Sequence, residues 1–451
     1  MKYVCTGQCL IGSCPFEECI RKDHANPARS PKKTTPMQIT KPNLPLRTGM
    51  LRGDVGLAAD IGTTTVVVGL FETNAGSVAA ETSALNAQCA LGADIISRIG
   101  RVQEDGEGID ELHTLIVSQL NDLTDQLLAS VNMKPEDVKQ GVITGNTVML
   151  HILAGLSPAS MGTAPHHVSS LLGKAVVGSL LGLKTPHTVY LPPSISAFVG
   201  SDITCGMVDL DFGDPSGAKM LVDIGTNGEI VLSVNGSIVA TATAAGPAFE
   251  AVNIACGMPA FGGAIEKVSI VNGQVYCTTI GGLPPAGICG SGLIDAVAAF
   301  LRAGAIDETG AIVDTAANYC EPDGMPALML ADGIYLTQKD VREFQTAKAA
   351  IRAGIETLLE FFSLGAEELD VLYLAGGFGE HIVRGSAETV GLIPHVRNVQ
   401  RCGNTALAGA VRMFHEESRL EALSLAGKTD CLNLSQSPFF QQRYVDCMIF
   451  D

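Results

Sequence analysis

The chain has 451 residues, which is too long for a single compact core, so two or three domains are expected. Apolar residues make up 46% of it and charged residues 17%, a composition typical of a well-packed α/β protein. The formal net charge of −18 argues against a protein that binds nucleic acid or an anionic membrane.

The apolar segments and the cysteine content of the chain indicate the cellular compartment in which it works. No apolar run approaches the ~18 residues of a membrane span, and residues 1–10 lack the apolar core of an export signal. Thirteen cysteines in a chain without such signals indicate reduced thiols rather than a disulfide framework. We therefore expect a cytoplasmic protein, and an anaerobic host would suit it.

The N-terminal segment, residues 1–30, carries four cysteines within a short span. They are Cys5, Cys9, Cys14 and Cys19, in a C-x3-C-x4-C-x4-C pattern. Such a group indicates a metal or cluster site, because so short a segment has no core in which to bury thiols. The spacing matches neither the ferredoxin run nor the paired cysteines of zinc sites. An iron–sulfur cluster is favoured over Zn²⁺, and a thiol-bearing tail without metal is the alternative.

Residues 31–53 are rich in Pro and Lys and show little apolar periodicity, which predicts an extended linker. Together, residues 1–53 hold nine Lys and Arg against three Asp and Glu, a net charge of +6 that leaves −24 for the remainder. The basic N-terminal part is therefore distinct from the acidic body of the protein.

The stretch Leu57–Glu72 predicts a β-hairpin whose tip can hold a phosphate. An apolar run reaches Asp60, turns at Gly62 and continues as a β-branched run. Gly62 lets a phosphate approach the backbone, and Thr63 and Thr64 offer hydroxyls beside their N–H groups. Asp60 would hold Mg²⁺ through water, because Mg²⁺ keeps most of its own waters. Taken alone, the stretch is also compatible with a plain structural hairpin.

The remainder of the first lobe offers further polar candidates. Asn86, Gln88 and Asp94 precede an amphipathic helix and can face a cleft, although ordinary helix capping by Asp94 is the alternative. Apolar spacing predicts a helix over Asp110–Val131. Gly141–His151 predicts a short buried strand, a Gly turn and a helix N-terminus, which offers N–H groups to an anion.

The hairpin pattern returns at Met220–Val234, where D-I-G-T is repeated at Asp223. The two aspartates are 163 positions apart, and a repeat at that distance indicates a duplicated domain. We place the first lobe at residues 54–212 and the second at 213–451, with one phosphate hairpin in each. Two hairpins that face each other would hold a polyphosphate and its metal from both sides.

Several elements of the second lobe follow in order. Glu250 comes after a Gly-Pro turn soon after the hairpin and is an acidic candidate, with a solvated surface carboxylate as the alternative. Leu336–Lys348 opens a long helix for which Thr337 is the predicted N-cap. Val371–His381 predicts a strand that ends in a Gly pair, on which an adenine or ribose can lie flat. The tail, residues 430–451, is predicted to form two short strands anchored by Phe439 and Phe440.

This order of elements resembles the superfamily of acetate and sugar kinases, heat-shock chaperone ATPases and actin. Within it, residues 54–451 resemble the reductive activators of corrinoid proteins. The strings that carry the resemblance begin at Asp60, Gly92, Gly145, Gly246, Gly287, Leu336 and Ala375. The resemblance implies an α/β fold of two duplicated ribonuclease H-like, actin-like ATPase lobes with a nucleotide cleft between them.

The resemblance also implies roles for individual residues toward ATP and Mg²⁺. Phosphate binding falls to Gly62, Thr63 and Thr64 in one lobe and to Gly225, Thr226 and Asn227 in the other. Nucleoside binding falls to Gly376, Gly377 and Phe378, with help from Gly290 and Ser291. Asp60 and Asp223 would hold Mg²⁺ through water, and these two with Glu250 are the candidates for the catalytic base or water-positioning residue.

The implied activity is ATP-driven reduction of Co(II) to Co(I) in the corrinoid protein of a methyltransferase system. ATP binding would select a closed state of the lobes, and hydrolysis would release it. Relatives of this kind carry a ferredoxin-like domain ahead of the ATPase core, whereas only about fifty residues precede the core here. Either Cys5, Cys9, Cys14 and Cys19 hold a minimal cluster, or an external donor such as ferredoxin supplies the electron. A homodimer is expected.

Three other functions fit parts of the pattern. An activator of a 2-hydroxyacyl-CoA dehydratase would share the lobes but bridge a cluster across a dimer, with Cys256 or Cys289 as ligands. A small-molecule kinase of the same superfamily would phosphorylate a metabolite. A chaperone-like or filament-forming protein would use ATP only to change shape.

Overall fold

A computed structural model describes residues 47–48, 53–104, 106–377 and 381–450. The chain divides into two compact units. The first comprises the chain up to Gly213 together with Thr405–Thr429, and the second comprises Asp214–Asn404 and Asp430–Asp451. Residues 405–429, predicted to belong to the second lobe, are grouped with the first unit by their contacts.

The described residues up to Gly213 form a seven-stranded sheet with the order β1-β4-β3-β2-β5-β7-β6 and four α-helices. The strands are β1 (Arg47–Thr48), β2 (Val55–Ile61), β3 (Thr65–Glu72), β4 (Val78–Leu85), β5 (Val138–Gly145), β6 (Leu172–Val177) and β7 (Thr188–Pro193). The helices are α1 (Ile95–Glu104), α2 (Gly108–Ser130), α3 (Thr147–Leu153) and α4 (Ser201–Asp209).

The strands of the middle of the chain are β8 (Ala218–Ile224), β9 (Gly228–Val234), β10 (Ser237–Thr243), β11 (Ala264–Val271), β12 (Gln274–Thr279), β13 (Gly287–Ile288), β14 (Tyr319–Cys320), β15 (Ala327–Ala331), β16 (Ile334–Thr337), β17 (Val371–Ala375) and β18 (Val399–Gly403). Its helices are α5 (Gly290–Arg302), α6 (Gln338–Phe361) and α7 (Arg384–Thr389). The chain continues with α8 (Thr405–Arg412), α9 (Glu416–Lys428), β19 (Thr429–Cys431) and α10 (Pro438–Asp446).

The two units repeat one strand arrangement. The sheet of the second unit has the order β18-β17-β8-β9-β10-β19, so β10-β9-β8-β17-β18 corresponds to β4-β3-β2-β5-β7. The orientations also agree, because the first three strands of each set are antiparallel and the last two join in parallel. The duplication expected from the repeated Asp-Ile-Gly-Thr string therefore extends over five strands.

The central strands explain why the hairpin sequences are so apolar. Leu57, Ala58, Ala59 and Ile61 of β2 are buried, and Asp60 is the partly exposed residue among them. A strand covered on both faces reads as a continuous apolar run rather than an alternating one. Each unit has its own cluster of buried apolar side chains behind its sheet, so the polar hairpin tip stands at the edge of a rigid core.

Helices α4 and α8 pack closely within the first unit. A Cβ atom on Gly409 of α8 would lie 1.9 Å from the backbone oxygen of Cys205 in α4, so only glycine fits there. The small residues around Gly200–Gly206 were expected to allow such an approach. This contact draws residues 405–429 into the first unit although a long stretch of chain separates them from it.

The end of the chain differs from the expected pair of strands. It forms the short strand β19 and then the helix α10, which begins after Ser437 with Pro438 at its first position. Phe439 is 37% exposed and does not anchor the tail, whereas Phe450 is 3% exposed and lies in the core of the second unit. Within the described ranges, none of the helices has the length and apolar character needed to cross a membrane.

Candidate functional site

The first turn joins β2 to β3 and has the predicted hairpin form. The Gly62 N–H donates to the Thr65 carbonyl at 2.9 Å, which closes a tight loop. Asp60 stands near the end of β2, opposite Val67 of β3 and beside Thr144 of the parallel strand β5. The carboxylate and the turn are thus held at the carboxyl end of the central strand, where open α/β sheets commonly bind ligands.

Side chains from other elements hold this turn in place. The amide of Asn86 donates to the Gly62 carbonyl at 2.8 Å, and the amide of Asn146 donates to the Thr63 hydroxyl at 3.1 Å. The guanidinium of Arg98 donates to the Thr63 carbonyl at 2.5 Å. Thr63 is 7% exposed as a result, so its backbone and its side chain are both fixed.

The other polar candidates of the first unit have structural roles. Asn86 and Gln88 are buried against the turn and α2, and the Gln88 amide donates to the Leu112 carbonyl at 2.9 Å. Asp94 accepts the Ser97 N–H at 2.7 Å, the ordinary capping contact given as its alternative. Asn146 caps α3 by accepting the Met149 N–H at 3.0 Å, as expected of a helix N-terminus after a Gly turn.

The second turn joins β8 to β9, and the hydrogen bond that closes it spans one residue fewer than in the first turn. The Gly225 N–H donates to the Asn227 carbonyl at 2.9 Å. Asp223 stands beside Ala375 of the parallel strand β17, as Asp60 stands beside Thr144. Thr226 is 7% exposed, the same value as Thr63 in the first turn. Each unit therefore presents an aspartate and a Gly-Thr turn at the same place in its sheet.

Glu250 lies next to the second turn. The Thr226 hydroxyl donates to the Glu250 carboxylate, with 2.9 Å between Oγ1 and Oε2. Glu250 ends a short 3₁₀ turn, Pro247–Glu250, that follows Gly246 at a φ of 80° and precedes Ala251 at a φ of 59°. This bent path brings the carboxylate back to the hairpin. The contact makes Glu250 more than a solvated surface acid.

Of the residues predicted to bind the nucleoside, Gly376 packs against the second hairpin and Gly377 does not. Gly376 has a φ of 100°, and a Cβ atom there would lie 2.3 Å from the Ile224 carbonyl and 3.0 Å from the Asp223 carboxylate. Gly376 therefore allows β17 to end against the second hairpin. Gly377 is exposed, with nothing within 4 Å of where its Cβ atom would stand. Phe378 lies outside the described residues.

Gly290 and Ser291 begin helix α5 beside the Glu250 turn. A Cβ atom on Gly290 would lie 1.7 Å from the Phe249 carbonyl, so the backbone of the protein itself accounts for this glycine. Ser291 is buried, with its hydroxyl 3.4 Å from the Cys289 sulfur. Their place next to Glu250 is clear, and their contact with a nucleoside stays a prediction.

The cysteines predicted to bind a metal or cluster are those of the N-terminal segment. Cys5, Cys9, Cys14 and Cys19 lie outside the described residues. In the part of the chain that the structure describes, no group of three or more His, Cys, Asp or Glu residues is arranged to hold a metal ion. Cys289 is buried and its thiol donates to the Ile265 carbonyl at 3.2 Å.

Sequence reasoning missed Arg98 as a member of the site. Its position carried a usable signal, because Ile95, Ile99 and Val102 form the buried stripe of α1 and Arg98 lies on that stripe. An arginine at a core-facing position of an amphipathic helix is rare unless it has partners there. The same helix faces the turn, which the pattern alone did not reveal.

Two family models cover nearly all of the described chain. The one described as the RACo middle region matches residues 55–214, and the one described as the C-terminal domain of RACo, the ASKHA domain, matches residues 217–451. The chain belongs to the RACo family. The expected resemblance to reductive activators of corrinoid proteins is confirmed, and so is the α/β fold of the actin-like ATPase superfamily.

Individual relatives agree with the RACo family. The chain is 32% identical over 427 residues to the corrinoid activation enzyme RamQ of Eubacterium limosum, covering 86% of this chain and 69% of that protein. It is 26% identical over 377 residues to a [Co(II) methylated amine-specific corrinoid protein] reductase of Methanosarcina barkeri, covering 75% and 67%. A solved reductive activator for a corrinoid, iron–sulfur protein superposes with a TM-score of 0.83 at 34% identity, over 89% of this chain and 67% of that one.

Proposed function

We propose that this RACo-family chain uses ATP hydrolysis to drive the reduction of a corrinoid protein of a methyltransferase system from Co(II) to Co(I). The observation that carries the proposal is the pair of Asp-Gly-Thr turns, one in each unit and each at the same position of a repeated sheet. The names of the curated relatives, a corrinoid activation enzyme and a corrinoid protein reductase, support the choice of substrate.

The residues of the two turns fit a magnesium–nucleotide complex. Aspartate oxygens suit Mg²⁺, which binds through one or two carboxylates and keeps several waters, so Asp60 and Asp223 would hold it. Backbone N–H groups and hydroxyls at Gly62–Thr64 and Gly225–Asn227 would bind phosphates. ATP, when bound, supplies a phosphoanhydride bond whose hydrolysis by water gives ADP and inorganic phosphate.

Glu250 is the best-placed candidate for orienting the attacking water. Its carboxylate is fixed on one side by the Thr226 hydroxyl, which belongs to the turn assigned to the phosphates. Phosphoryl transfer needs mainly positioning and charge neutralisation, so a fixed carboxylate beside a phosphate turn suits that role. Gly376 lets the backbone of β17 approach the same turn, which suits the nucleoside role proposed for Gly376 and Gly377.

The coupling to ATP has a plain energetic reason. Raising one electron by about 59 mV costs roughly 1.4 kcal/mol. A conformational change worth a few kcal/mol therefore offsets a potential gap on the order of 100–200 mV. The electron itself comes from an external reductant such as reduced ferredoxin, directly or through a cluster at the four N-terminal cysteines. Each Co(II) takes up one electron and becomes Co(I).

An anaerobic assay tests the proposal. The full chain is mixed with a Co(II) corrinoid protein, a low-potential reductant and Mg²⁺, with or without ATP. The Co(II) signal is followed by electron paramagnetic resonance, since Co(I) gives no signal. We expect the signal to decay with ATP and to persist with a non-hydrolysable analogue. Asp223→Asn should abolish the ATP effect, whereas Asp332→Asn, at an exposed position of the same unit, should not.

Two outcomes contradict the proposal. Equal decay of the Co(II) signal with and without ATP would remove the coupling. ATP-dependent appearance of a phosphorylated metabolite, without decay of the Co(II) signal, would make the chain a kinase.

A further measurement concerns the electron path. Replacement of Cys5, Cys9, Cys14 and Cys19 by Ser should stop reduction of Co(II) but spare ATP hydrolysis if a cluster at these cysteines carries the electron. Light scattering tests the proposed homodimer.

A further inference from the structure

We propose that Arg98 is a positioning residue for the first phosphate turn, and that it acts by holding the Thr63 carbonyl so that the Thr64 N–H faces the bound phosphate. The inference rests on the proposed function to the extent that the turn binds ATP. It assigns a role to a side chain that lies on a helix, behind the turn, and that would not itself touch the nucleotide.

The hydrogen bonds of Arg98 converge on the turn and its supports. The side chain is 0% exposed, and its Nη2 donates to the Thr63 carbonyl at 2.5 Å. Its Nε donates to the Gly92 carbonyl at 3.0 Å, and its Nη1 donates to the Gln88 side-chain oxygen at 3.2 Å. A planar guanidinium with several partners has one orientation, so the contact with Thr63 is rigid.

The direction of the peptide groups follows from these contacts. In a trans peptide the C=O and the N–H point in opposite directions. The carbonyl of Thr63 points to Arg98 and the carbonyl of Gly62 points to Asn86, both on the protein side of the turn. The N–H groups of Thr64 and Thr63, which belong to the same two peptide planes, therefore point away from Arg98 and Asn86. Two adjacent N–H groups aimed the same way suit an anion.

An arginine at position 98 fixes the orientation of the peptide between Thr63 and Thr64. Without Arg98, the Thr63 carbonyl would lose its charged donor and keep the long contact with the Cys89 sulfur, at 3.8 Å, while Asn146 holds the Thr63 hydroxyl and not the carbonyl. The peptide between Thr63 and Thr64 could then rotate. Rotation would turn a carbonyl oxygen toward the phosphate in place of an N–H. The expected loss is therefore one of phosphate affinity, with no direct effect on the nucleoside.

Binding experiments on the full chain separate these two effects. Dissociation constants for Mg·ATP and for adenosine, which lacks phosphates, are measured by calorimetry for the wild type, Arg98→Met and Arg98→Lys. Arg101→Met is the matched control, because Arg101 lies on the same helix but pairs with Glu111 near the surface. We expect about a tenfold or greater loss of ATP affinity in Arg98→Met, from misdirection of a charge-assisted hydrogen bond. Adenosine affinity should change less than twofold.

Arg98→Lys keeps the charge and most of the volume but offers a single donor group, so an intermediate ATP affinity is expected. Wild-type ATP affinity in Arg98→Met would overturn the proposal. The proposal would also be overturned if circular dichroism showed the Arg98→Lys chain to be unfolded, or if that chain lost its affinities for ATP and adenosine together. In either case Arg98 would be only a core residue. A wild type that binds ATP without reducing a corrinoid protein would defeat the proposed function and leave this inference standing.

Discussion

At the scale of single residues, the contact between Thr226 and Glu250 is the most specific feature of the second unit. It joins the second Gly-Thr turn to a carboxylate 24 positions later through one hydrogen bond of 2.9 Å. A carboxylate held in this way has a fixed orientation, which is what the proposed role of orienting the attacking water requires of it.

Glu250→Gln should lower the turnover number for ATP hydrolysis about 10²-fold or more, because the amide cannot accept a proton or order water as a carboxylate does. The Michaelis constant for ATP should change little, since the turn proposed to bind phosphate stays intact. Steady-state release of phosphate measures both. Glu360→Gln, at an exposed position of the same unit, is the matched control and should keep wild-type turnover. Unchanged turnover in Glu250→Gln would exclude Glu250 from the hydrolytic step.

His151 is a buried residue that makes the first unit sensitive to acid. Burial lowers its pKa from 6.5 to about 4, an effect to which Lys174 adds and which a hydrogen bond to the Thr147 carbonyl opposes. The ring is therefore neutral at physiological pH. Nδ1 donates to that carbonyl at 2.7 Å, and Nε2 accepts from Ser169 at 3.2 Å.

Because the pKa in the folded protein is lower than in the unfolded chain, the unfolded chain binds more protons between about pH 6.5 and pH 4. The free energy of unfolding should therefore fall as the pH drops through this range, by on the order of 3 kcal/mol in total. Urea unfolding at several pH values measures it. His151→Asn, which lacks a titrating ring, should flatten the dependence, and the exposed control His187→Asn should not. An equally steep dependence in His151→Asn would contradict this assignment.

At the scale of elements, the end of the chain is fastened to helix α6 of the second unit. The Phe450 ring lies 6.2 Å from the Phe344 ring and 4.9 Å from the Lys348 ammonium. Its N–H donates to the Glu308 carbonyl at 2.8 Å. Phe344 in turn packs edge-on against Phe249, at 5.5 Å, next to the carboxylate of Glu250.

Phe450→Ala should destabilise the second unit by about 3–5 kcal/mol, the usual cost of removing a buried phenyl ring. Phe439→Ala removes a ring of the same size that is 37% exposed, and its effect should stay within about 0.5 kcal/mol. Chemical denaturation followed by circular dichroism gives both values. Equal effects of the two substitutions would show that Phe450 is not the anchor.

The elements that the sequence revealed are those with a local cause. The two hairpins were predictable because a Gly-Thr tip between apolar runs has few other solutions. The N-cap of α6 at Thr337 was equally local. In the structure the Asp340 N–H donates to the Thr337 hydroxyl and the Thr337 N–H donates to the Asp340 carboxylate, which completes a capping box. The prediction of two strands in the tail was wrong. Ser437 and Pro438 start a helix there, which turns Phe439 outward, and the prediction gave more weight to the apolar Phe pair than to this helix start.

The contacts that complete the candidate site were out of reach of local reasoning. Arg98 meets Thr63 across 35 positions, and Glu250 meets Thr226 across 24. Each depends on the path of an irregular segment, such as the left-handed turn at Ala251, whose conformation follows from packing rather than from residue type. Repetition of the strand order, by contrast, was implied by the repeated string, since copies of a domain keep their topology.

At the scale of the whole molecule, the chain enters the first unit twice. Helices α8 and α9 belong to it although residues 214–404 lie between them and the preceding part of the unit. A chain cut at residue 213 would therefore leave the face of α4 around Cys205 without its partner helix.

We expect residues 54–213 expressed alone to be unstable, and the same residues joined to 405–429 through a flexible linker to fold. Thermal unfolding followed by circular dichroism compares the two. The joined version with Gly409→Leu, which puts a side chain where a Cβ atom would already lie 1.9 Å from the Cys205 oxygen, is the control and should lose the gain. Cooperative unfolding of residues 54–213 alone, at the same temperature as the joined version, would refute the expectation.

This threading has a consequence for synthesis on the ribosome. Translation proceeds at ~5–20 residues per second. The 191 residues of the intervening segment, Asp214–Asn404, thus delay the arrival of α8 by ~10–40 s. During that interval the surface of α4 around Cys205, on which α8 packs, stays uncovered in the nascent first unit. We therefore expect the incomplete first unit to be prone to aggregation until the final helices emerge.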